Sequence, residues 1–549
     1  MNNIYNIKIK KESLRCDSNG NLSKLEHPVA FGDRLKNKLI TFSDNDKKLL
    51  INTPICEDLH ECYIKLQEIT DIVILELFER NELLWNSSSP CFDNEEKCFL
   101  TIEFSLNSKI YEIAEKNNII LPDNIEDMYK NIVNKLNKRI SHFKEIFGNI
   151  KIEYNNNITI NNITLNPMDR VGIELKEIMY IILEIFSCLS NKVDLRDLNR
   201  IFSLRCKDFI ENTQLNRNEN KLKGLTKKEI LDILKNNMLE GYNERYRLKY
   251  HPKLLAEAAI LIKDALSQGI DYKILNETTS FALLDYEGHK EYIIEGNRTD
   301  RDSYIFPIVT DDKLVSKNIM KEKGLSVPDA ILLTKDMEQE EIEDLIKDLY
   351  SMPLVIKPRN TNMGTGITVF SKPGTKDQIN NAIKYAFEFD SDVLVEQYIK
   401  GKEYRFLVVD GKCISVAHRR VASVVGDGKS TIKELIDIKN KEPWHALTGT
   451  PVKIEKPVEE FLKKSNYTYD TIPQKDERVF LRTNSNCSTG GESLDVTNDI
   501  PQYFKEMSEK AANAFNAKVC GVDLIIDDLN KNDYSIIEIN DDPGYSINK

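Results

Sequence analysis

Apolar and polar positions follow two textures along this chain. Ile4 to Ile9 alternates apolar and polar residues, the period of a half-buried strand. Lys47 to Glu79 predicts a short strand, a break at Thr53-Pro54 and a helix over Glu57–Phe78. Phe99 to Leu106 reads as another strand, and Glu126–Ile146 and Val171–Leu189 show helical periodicity. The polar stretch Asn155–Asn162 predicts a hairpin or loop, and Leu195–Ile262 is charged and helical. From about Asp271 onward, strands, tight glycines and short helices alternate, which suggests α/β layers. Asp312-Lys313 opens a helix, Leu314 to Lys323, that stops at Gly324. Leu354–Pro358 is a strand, and Val393 to Phe406 reads as strand, connection, strand. The chain shows no internal repeat and no low-complexity linker. The expected division is an α+β domain over 1–268 and an α/β domain over 269–549.

The last strands carry the first chemical signal. Gly521-Val522-Asp523-Leu524-Ile525 and Ile537-Glu538-Ile539-Asn540 set acids among apolar residues. An acid inside an apolar strand is costly unless something pairs with it, and a divalent cation held by Asp, Glu and Asn oxygens is one such partner. The alternative is a strand whose acids face solvent. Upstream, the strand ending in Lys357 runs into Asn360–Ile367, where Gly364 and Gly366 allow backbone N–H groups to converge on phosphate oxygens. An ordinary turn is the plainer reading of that loop.

Composition narrows the classes. The 549 residues carry a net charge of −12, against the basic surface that a nucleic acid or an anionic membrane requires. The longest apolar runs, Ile72–Phe78 and Met179–Leu189, are too short to span a bilayer. Met1 to Arg15 is polar and basic without an apolar core, so no secretory signal is expected. Ten cysteines without a repeated spacing then point to reduced thiols and a cytoplasmic location. Cys56, His60 and Cys62 fit no common zinc spacing.

Taken in order, the Asp-Lys helix, the strand-lysine with its glycine loop, Val395-Glu396-Gln397-Tyr398-Ile399-Lys400-Gly401-Lys402-Glu403, Arg405, Asp523 and Glu538-Ile539-Asn540 resemble the ATP-grasp ligases. With Val425–Ile432 and Asn486–Gly491, the resemblance is to the glutathione synthetase half of the bifunctional glutamate–cysteine ligase/glutathione synthetases, and also to cyanophycin synthetase. It runs from about Ile274 to the end.

The resemblance implies an ATP-grasp fold and a ligase that joins a carboxylate to an amine through an acyl phosphate, with ATP and two Mg²⁺ ions, Mn²⁺ being an alternative. It implies Asp523, Glu538 and Asn540 as metal ligands and Lys313 and Lys357 as phosphate lysines, Lys357 also acting in catalysis with Arg482 and Arg405. Arg482 would meet the transferred phosphoryl, while Arg405 and Arg419 are candidates for substrate carboxylates. The backbone of Glu396, Gln397, Tyr398 and Ile399 would read the adenine edge, Glu403 the ribose, and Gly364 and Gly366 the phosphates. Amino acid or γ-glutamyl peptide substrates follow, with no nucleic-acid or membrane partner and a homodimer left open. The family's Asn-x-Asn-Pro is Asn540-Asp541-Asp542-Pro543 here, and the chain stops at Lys549 where the family continues.

Lys11–Arg15, Asn19–Ser23, Thr53-Pro54, Leu84–Pro90 and Leu165–Pro167 resemble the glutamate–cysteine ligase half, but with altered chemistry. The family's opening Glu-Arg-Glu is Lys10-Lys11-Glu12, its acid before Ile/Thr-Pro is Leu50, its His-x-Asn is Thr101 and Glu103, and its Glu-x-Arg is Thr159 and Asn161. Glu12 and Glu103 are the only acids expected to remain there. The expectation is a degenerate first half beside an active second half. A chain with both activities, or a non-catalytic binder of ATP or a γ-glutamyl peptide, is the alternative.

Overall fold

A computed structural model describes the chain except residues 1–3, 27, 32–36, 44–47, 87–95, 166–172, 190–224, 244, 362–364, 442–450, 483–489 and 545–549. It forms two compact units, one of residues 1–254 with 259–291, the other of residues 255–258 with 292–549.

The first unit is organised by β1 (Tyr5–Asp17), longer than the alternation of Ile4–Ile9 predicts. Around it lie β2 (Ile40–Phe42), β3 (Lys48–Asn52), β4 (Glu82–Trp85), β5 (Phe99–Leu106), β6 (Lys151–Asn155) and β7 (Asn157–Thr164). The antiparallel order is β2-β3-β1-β5-β7-β6, with β4 pairing the far end of β1. Ile7, Ile9, Ile102, Phe104, Ile158 and Ile160 share the buried face, while Lys10, Glu12, Thr101, Glu103, Thr159 and Asn161 alternate with them onto the other. Helix α1 (Leu59–Glu79) begins where Asp58 Oδ1 accepts the His60 N–H at 2.7 Å. Among the described residues, α2 (Lys109–Lys116), α3 (Ile125–Lys138), α4 (Ile140–Phe147), α5 (Leu175–Ser187) and α6 (Lys227–Asn243) follow. The periodic run Glu126–Ile146 is thus two helices, broken at Arg139, and the polar stretch near Asn157 is a full strand whose turn places Asn156 at φ +64°. Residues 195–224 and 244 of the charged stretch from Leu195 lie outside the described residues. Cys62 Sγ contacts Thr53 Oγ1 at 3.4 Å, and His60 lies near Tyr250. No group of three His, Cys, Asp or Glu side chains suits a metal among the described residues, and no helix there is long and apolar enough to cross a membrane.

After α7 (Ala256–Ser267), β8 (Asp271–Asn276) pairs β9 (Phe281–Tyr286). Past β10 (His289–Ile294) and β11 (Arg298–Thr299), the second unit places α8 (Ile305–Asp311) and α9 (Lys313–Glu322) before its two main sheets. The first sheet runs β12-β15-β13-β14, from β12 (Ala330–Thr334), β13 (Leu354–Pro358), β14 (Thr368–Phe370) and β15 (Asp392–Gln397). Its Leu354, Ile356, Val393 and Val395 pack on α10 (Gln339–Ile346) and α11 (Lys376–Ala386). The second sheet runs β20-β17-β16-β21-β22, from β16 (Lys402–Val409), β17 (Lys412–Arg420), β20 (Glu492–Asp495), β21 (Val519–Ile526) and β22 (Ser535–Asn540). Phe406, Val416, Val522, Leu524, Ile536 and Ile539 pack on α14 (Gln502–Ala514). Between β17 and β20, a small subdomain pairs β18 (Ser423–Val425) with β19 (Arg478–Phe480) over α12 (Ile432–Asn440) and α13 (Lys456–Lys464). Each main sheet buries one apolar face; the candidate site uses the other.

Candidate active site

Two residues of α9 open the site. Asp312 caps the helix, its Oδ1 accepting the N–H groups of Leu314 and Val315 at 3.1 Å. Lys313 and Lys317, four apart, lie on one helix face, and both are buried. On β13 and β15, Val355 lies opposite Glu396, so Lys357 and Glu396 share the sheet face away from the α10–α11 core. Lys357 Nζ is 2.9 Å from Glu396 Oε2, and Lys317 Nζ is 3.4 Å from the same oxygen. Glu396 Oε1 is buried without a hydrogen-bond partner among the described residues. Lys313 donates to the carbonyls of Arg359 and Thr361 at the base of the glycine loop. Two buried ammonium groups therefore pair with one buried carboxylate, with a third, Lys313, on the same helix face as Lys317. Burial pushes Lys313 below the usual lysine range against the attraction of Glu538, and burial together with Lys357 lowers Lys317 to about 8.

Arg359 holds this corner together. Its guanidinium donates to both oxygens of Asp312, at 2.9 and 2.6 Å, and to Asp392 at 2.7 Å. Gly366 sits at φ +73°, where an added Cβ would stand 2.6 Å from Pro358 Cγ, so only glycine follows that path. Gly364 lies outside the described residues. At the end of β15 the Gln397 and Tyr398 N–H groups donate to the carbonyls of Asp329 and Pro353, at 3.1 and 3.2 Å. The Ile399 N–H has no partner among the described residues. Of the four expected backbone readers, Gln397 and Tyr398 spend their N–H groups within the fold, and the Ile399 donor is free among the described residues.

The second sheet presents Glu403, Arg405, Asp523, Glu538 and Asn540 on one face. Arg405 lies opposite Asp523, and Asp523 opposite Glu538. A bulge past Asp523 moves the partner of Leu524 to Ile536, leaving Ile537 extra. Because of that bulge the residues around Glu538 do not simply alternate: Ile536 and Ile539 enter the core, and Ile537 does not. Arg405 grips Asp523 with both ends of its fork, Nε to Oδ1 and NH2 to Oδ2, the latter at 2.6 Å. Burial alone would raise the Asp523 carboxyl, but Arg405 and Arg419 hold it below the usual range. Arg419 also donates to Glu403 Oε1 at 3.2 Å, so it pairs within the site instead of on an open surface. Asn540 Nδ2 lies 3.4 Å from Asp523 Oδ2, which leaves its Oδ1 without a partner among the described residues. Two carboxylates and an amide oxygen on one face form a hard-oxygen set that fits Mg²⁺. Asp523 brings to it a carboxylate already shared with Arg405.

Arg482 stands apart from these groups. It pairs with Glu455, beside α13, and no hydrogen bond or ion pair links it to Asp523, Glu538 or Asn540 among the described residues. The following loop, 483–489, lies outside them. Asp541 and Asp542 are engaged: Arg298 Nε donates to Asp541 Oδ2 at 2.9 Å, and Asn297 Nδ2 donates to Asp542 Oδ1.

The sequence reading missed Lys317, Arg359, Arg298 and the role of Gly521. The spacing of Lys313 and Lys317 could have exposed the first. An added Cβ at Gly521 would lie 2.8 Å from Arg405 Cδ, so the glycine makes room for the fork; only the pairing of β16 with β21 reveals this.

Known proteins match separate parts of the chain. Residues 3–109 match the glutamate-cysteine ligase family, 258–305 an ATP-grasp-like domain and 319–476 the D-ala D-ala ligase C-terminus. The glutathione biosynthesis bifunctional protein GshAB of Clostridium perfringens is 36% identical over 316 residues, 56% of this chain and 40% of that protein. The same-named protein of Streptococcus thermophilus is 38% identical over 291 residues, 52% of this chain and 38% of its own length. The matched span is thus well under two thirds of these curated relatives. A bifunctional glutathione synthetase from Pasteurella multocida superposes with a TM-score of 0.74 at 22% identity, covering 99% of this chain and 94% of that one. The chain thus resembles the bifunctional glutathione synthetases, with a glutamate–cysteine ligase-like fold followed by an ATP-grasp fold.

Proposed function

We propose that the chain is an ATP-dependent carboxylate–amine ligase of the glutathione synthetase type, joining a γ-glutamyl peptide to an amino acid in the cytoplasm. The observation that carries this reading is the excess of buried positive charge: three lysines, Lys313, Lys317 and Lys357, face two acids, Glu396 and Glu538. Buried ammonium groups without matching acids call for an anion, and a nucleotide polyphosphate between the two sheets meets that need. Lys313 and Lys357 would hold the phosphates as point charges, and the free Ile399 N–H would read the adenine edge. Glu403 would accept from the ribose.

Asp523, Glu538 and Asn540 would hold Mg²⁺, two ions in this reading, with Mn²⁺ as a substitute. Bound there, the metal would neutralise phosphate charge during transfer to the substrate carboxylate. Arg405 and Arg419 would face the acid substrate, and Arg482 would approach the transferred group from the small subdomain. The first unit would then serve as scaffold, substrate dock or dimer surface.

The test supplies the purified protein with ATP, Mg²⁺, a panel of γ-glutamyl dipeptides and single amino acids. ADP should appear only when both an acid and an amine partner are present, with a product heavier by the amino acid less water. ADP release indifferent to both partners would remove the ligase reading.

A further inference from the structure

Lys317 carries a charge that the ligase reading leaves without a task. Its Nζ bridges the two main sheets of the second unit, 3.5 Å from the Ile537 carbonyl and 3.4 Å from Glu396 Oε2. The side chain is 3% exposed, as is typical of few lysines. Lys313 faces it from the same helix, Lys357 from β13, Glu396 from β15 and Glu538 from β22. A strut between two strands needs no charge, and a charge in this place meets both burial and the repulsion of Lys357. What it compensates becomes clear once Lys357 moves. In this structure Lys357 is ion-paired with Glu396, and a phosphate lysine must turn toward the nucleotide. Glu396 is 2% exposed and its other oxygen has no partner among the described residues. Without a second cation, the departure of Lys357 would strand a buried carboxylate.

The geometry points to Lys317 as a positioning residue that stays on Glu396 while Lys357 leaves that carboxylate for the nucleotide phosphates. It keeps Glu396 charged in both arrangements and so lets the phosphate lysine move. The inference rests on the proposed function only for the arrival of a nucleotide.

The probe is ADP with Mg²⁺, titrated by calorimetry. Lys317→Met keeps the apolar stem and should weaken binding on the order of tenfold or more, with the thermal midpoint of the nucleotide-free protein unchanged or higher. Lys317→Arg should restore most of the affinity. Adding Glu396→Gln to Lys317→Met should also recover binding, since no carboxylate is then left uncompensated. Between pH 7 and 9.5 the wild type should lose affinity more steeply than Lys317→Arg, because Lys317 sheds its proton near 8. The depressed Lys313 is common to both proteins and cancels in that comparison. A Lys317→Met protein that binds ADP like the wild type overturns the inference and leaves the ligase reading intact. So does one that loses stability along with binding and gains nothing from Glu396→Gln, which would make Lys317 a strut. A wild type that binds no nucleotide sinks the ligase reading and this inference with it.

Discussion

Gly521→Ala tests whether the Arg405–Asp523 fork matters to both fold and function. The substitution adds one methyl group to β21, where the backbone strain of a positive φ is not at issue and alanine costs nothing in local conformation. Space decides the outcome. The new Cβ would stand 2.8 Å from Arg405 Cδ, 3.1 Å from Arg405 NH1 and 3.1 Å from Pro543 Cβ. Carbon atoms rest at about 3.5–4.0 Å, so Arg405 must shift by several tenths of an ångström. It has little freedom to do so: its backbone is paired to both β17 and β21, and its guanidinium is held by both oxygens of Asp523. Overpacking of this kind costs about 1–3 kcal/mol, a fall in midpoint of about 2–12 °C for a unit of this size. A misplacement of about 1 Å can cost a hundredfold, so displacing the fork by several tenths of an ångström should lower ligation on the order of tenfold. Differential scanning fluorimetry reads the first effect and coupled ADP release the second. Arg405→Lys, which keeps the charge but not the fork, should reproduce the loss of activity without the steric strain. A Gly521→Ala protein with the wild-type midpoint and rate would refute the argument.

Lys357→Ala and Arg482→Ala should each fold and each lower ligation by about a hundredfold or more; a wild-type rate of ADP release in either would remove that residue from the site. Glu538→Gln should raise the Mg²⁺ needed for half-maximal activity more than it weakens ADP binding, and an unchanged metal requirement would return Glu538 to an ordinary strand position. Supplied with ATP, Mg²⁺, glutamate and cysteine, the protein should make no γ-glutamylcysteine detectable by mass spectrometry; product that disappears in Glu12→Ala and persists in Lys357→Ala would establish a second active unit.

Much of the second unit was legible because its strands announce themselves locally. Leu354–Pro358 forms as expected, and the Asp312 cap and Gly324 stop bracket α9 where helix-end chemistry places them. What sequence could not supply was pairing. The bulge that aims Glu538 at Asp523 depends on which residue of β21 meets which of β22. Arg359 looks like a surface residue after a strand, yet it joins Asp312 to Asp392 across three elements. The first unit was harder because polar residues there hide real elements. The polar stretch Asn155–Asn162, expected as a hairpin or loop, forms the turn and second strand of the β6–β7 hairpin, and its Ile158 and Ile160 enter the core. Glu153 was missed among the acids of that open face, since only the hairpin of β6 and β7 brings it beside Asn161, at 3.0 Å.

The two units treat their charges in opposite ways, and this separates them chemically. On the open face of the first sheet, every acid at the positions matched to the family's chemistry has a local cation or donor. Lys48 lies 2.8 Å from Glu12, which also accepts the Phe99 N–H at 3.1 Å. Lys10, opposite Thr101, reaches over to Glu103, Lys151 pairs with Glu153, and Thr101 donates to Asn161. Pairing alone does not separate the units, since Asp523 is itself paired with Arg405; what this face lacks is any excess of charge, each of these acids being met by a cation or donor. Such a face is complete without a metal or a nucleotide. The second unit leaves its balance open: three buried lysines meet two glutamates, and the Asn540 amide oxygen beside Asp523 has no partner among the described residues. Local pairing can stabilise the first arrangement by itself. The second gains most when an anion reaches the lysines and a cation reaches the acids, which is the charge pattern of a metal–nucleotide complex.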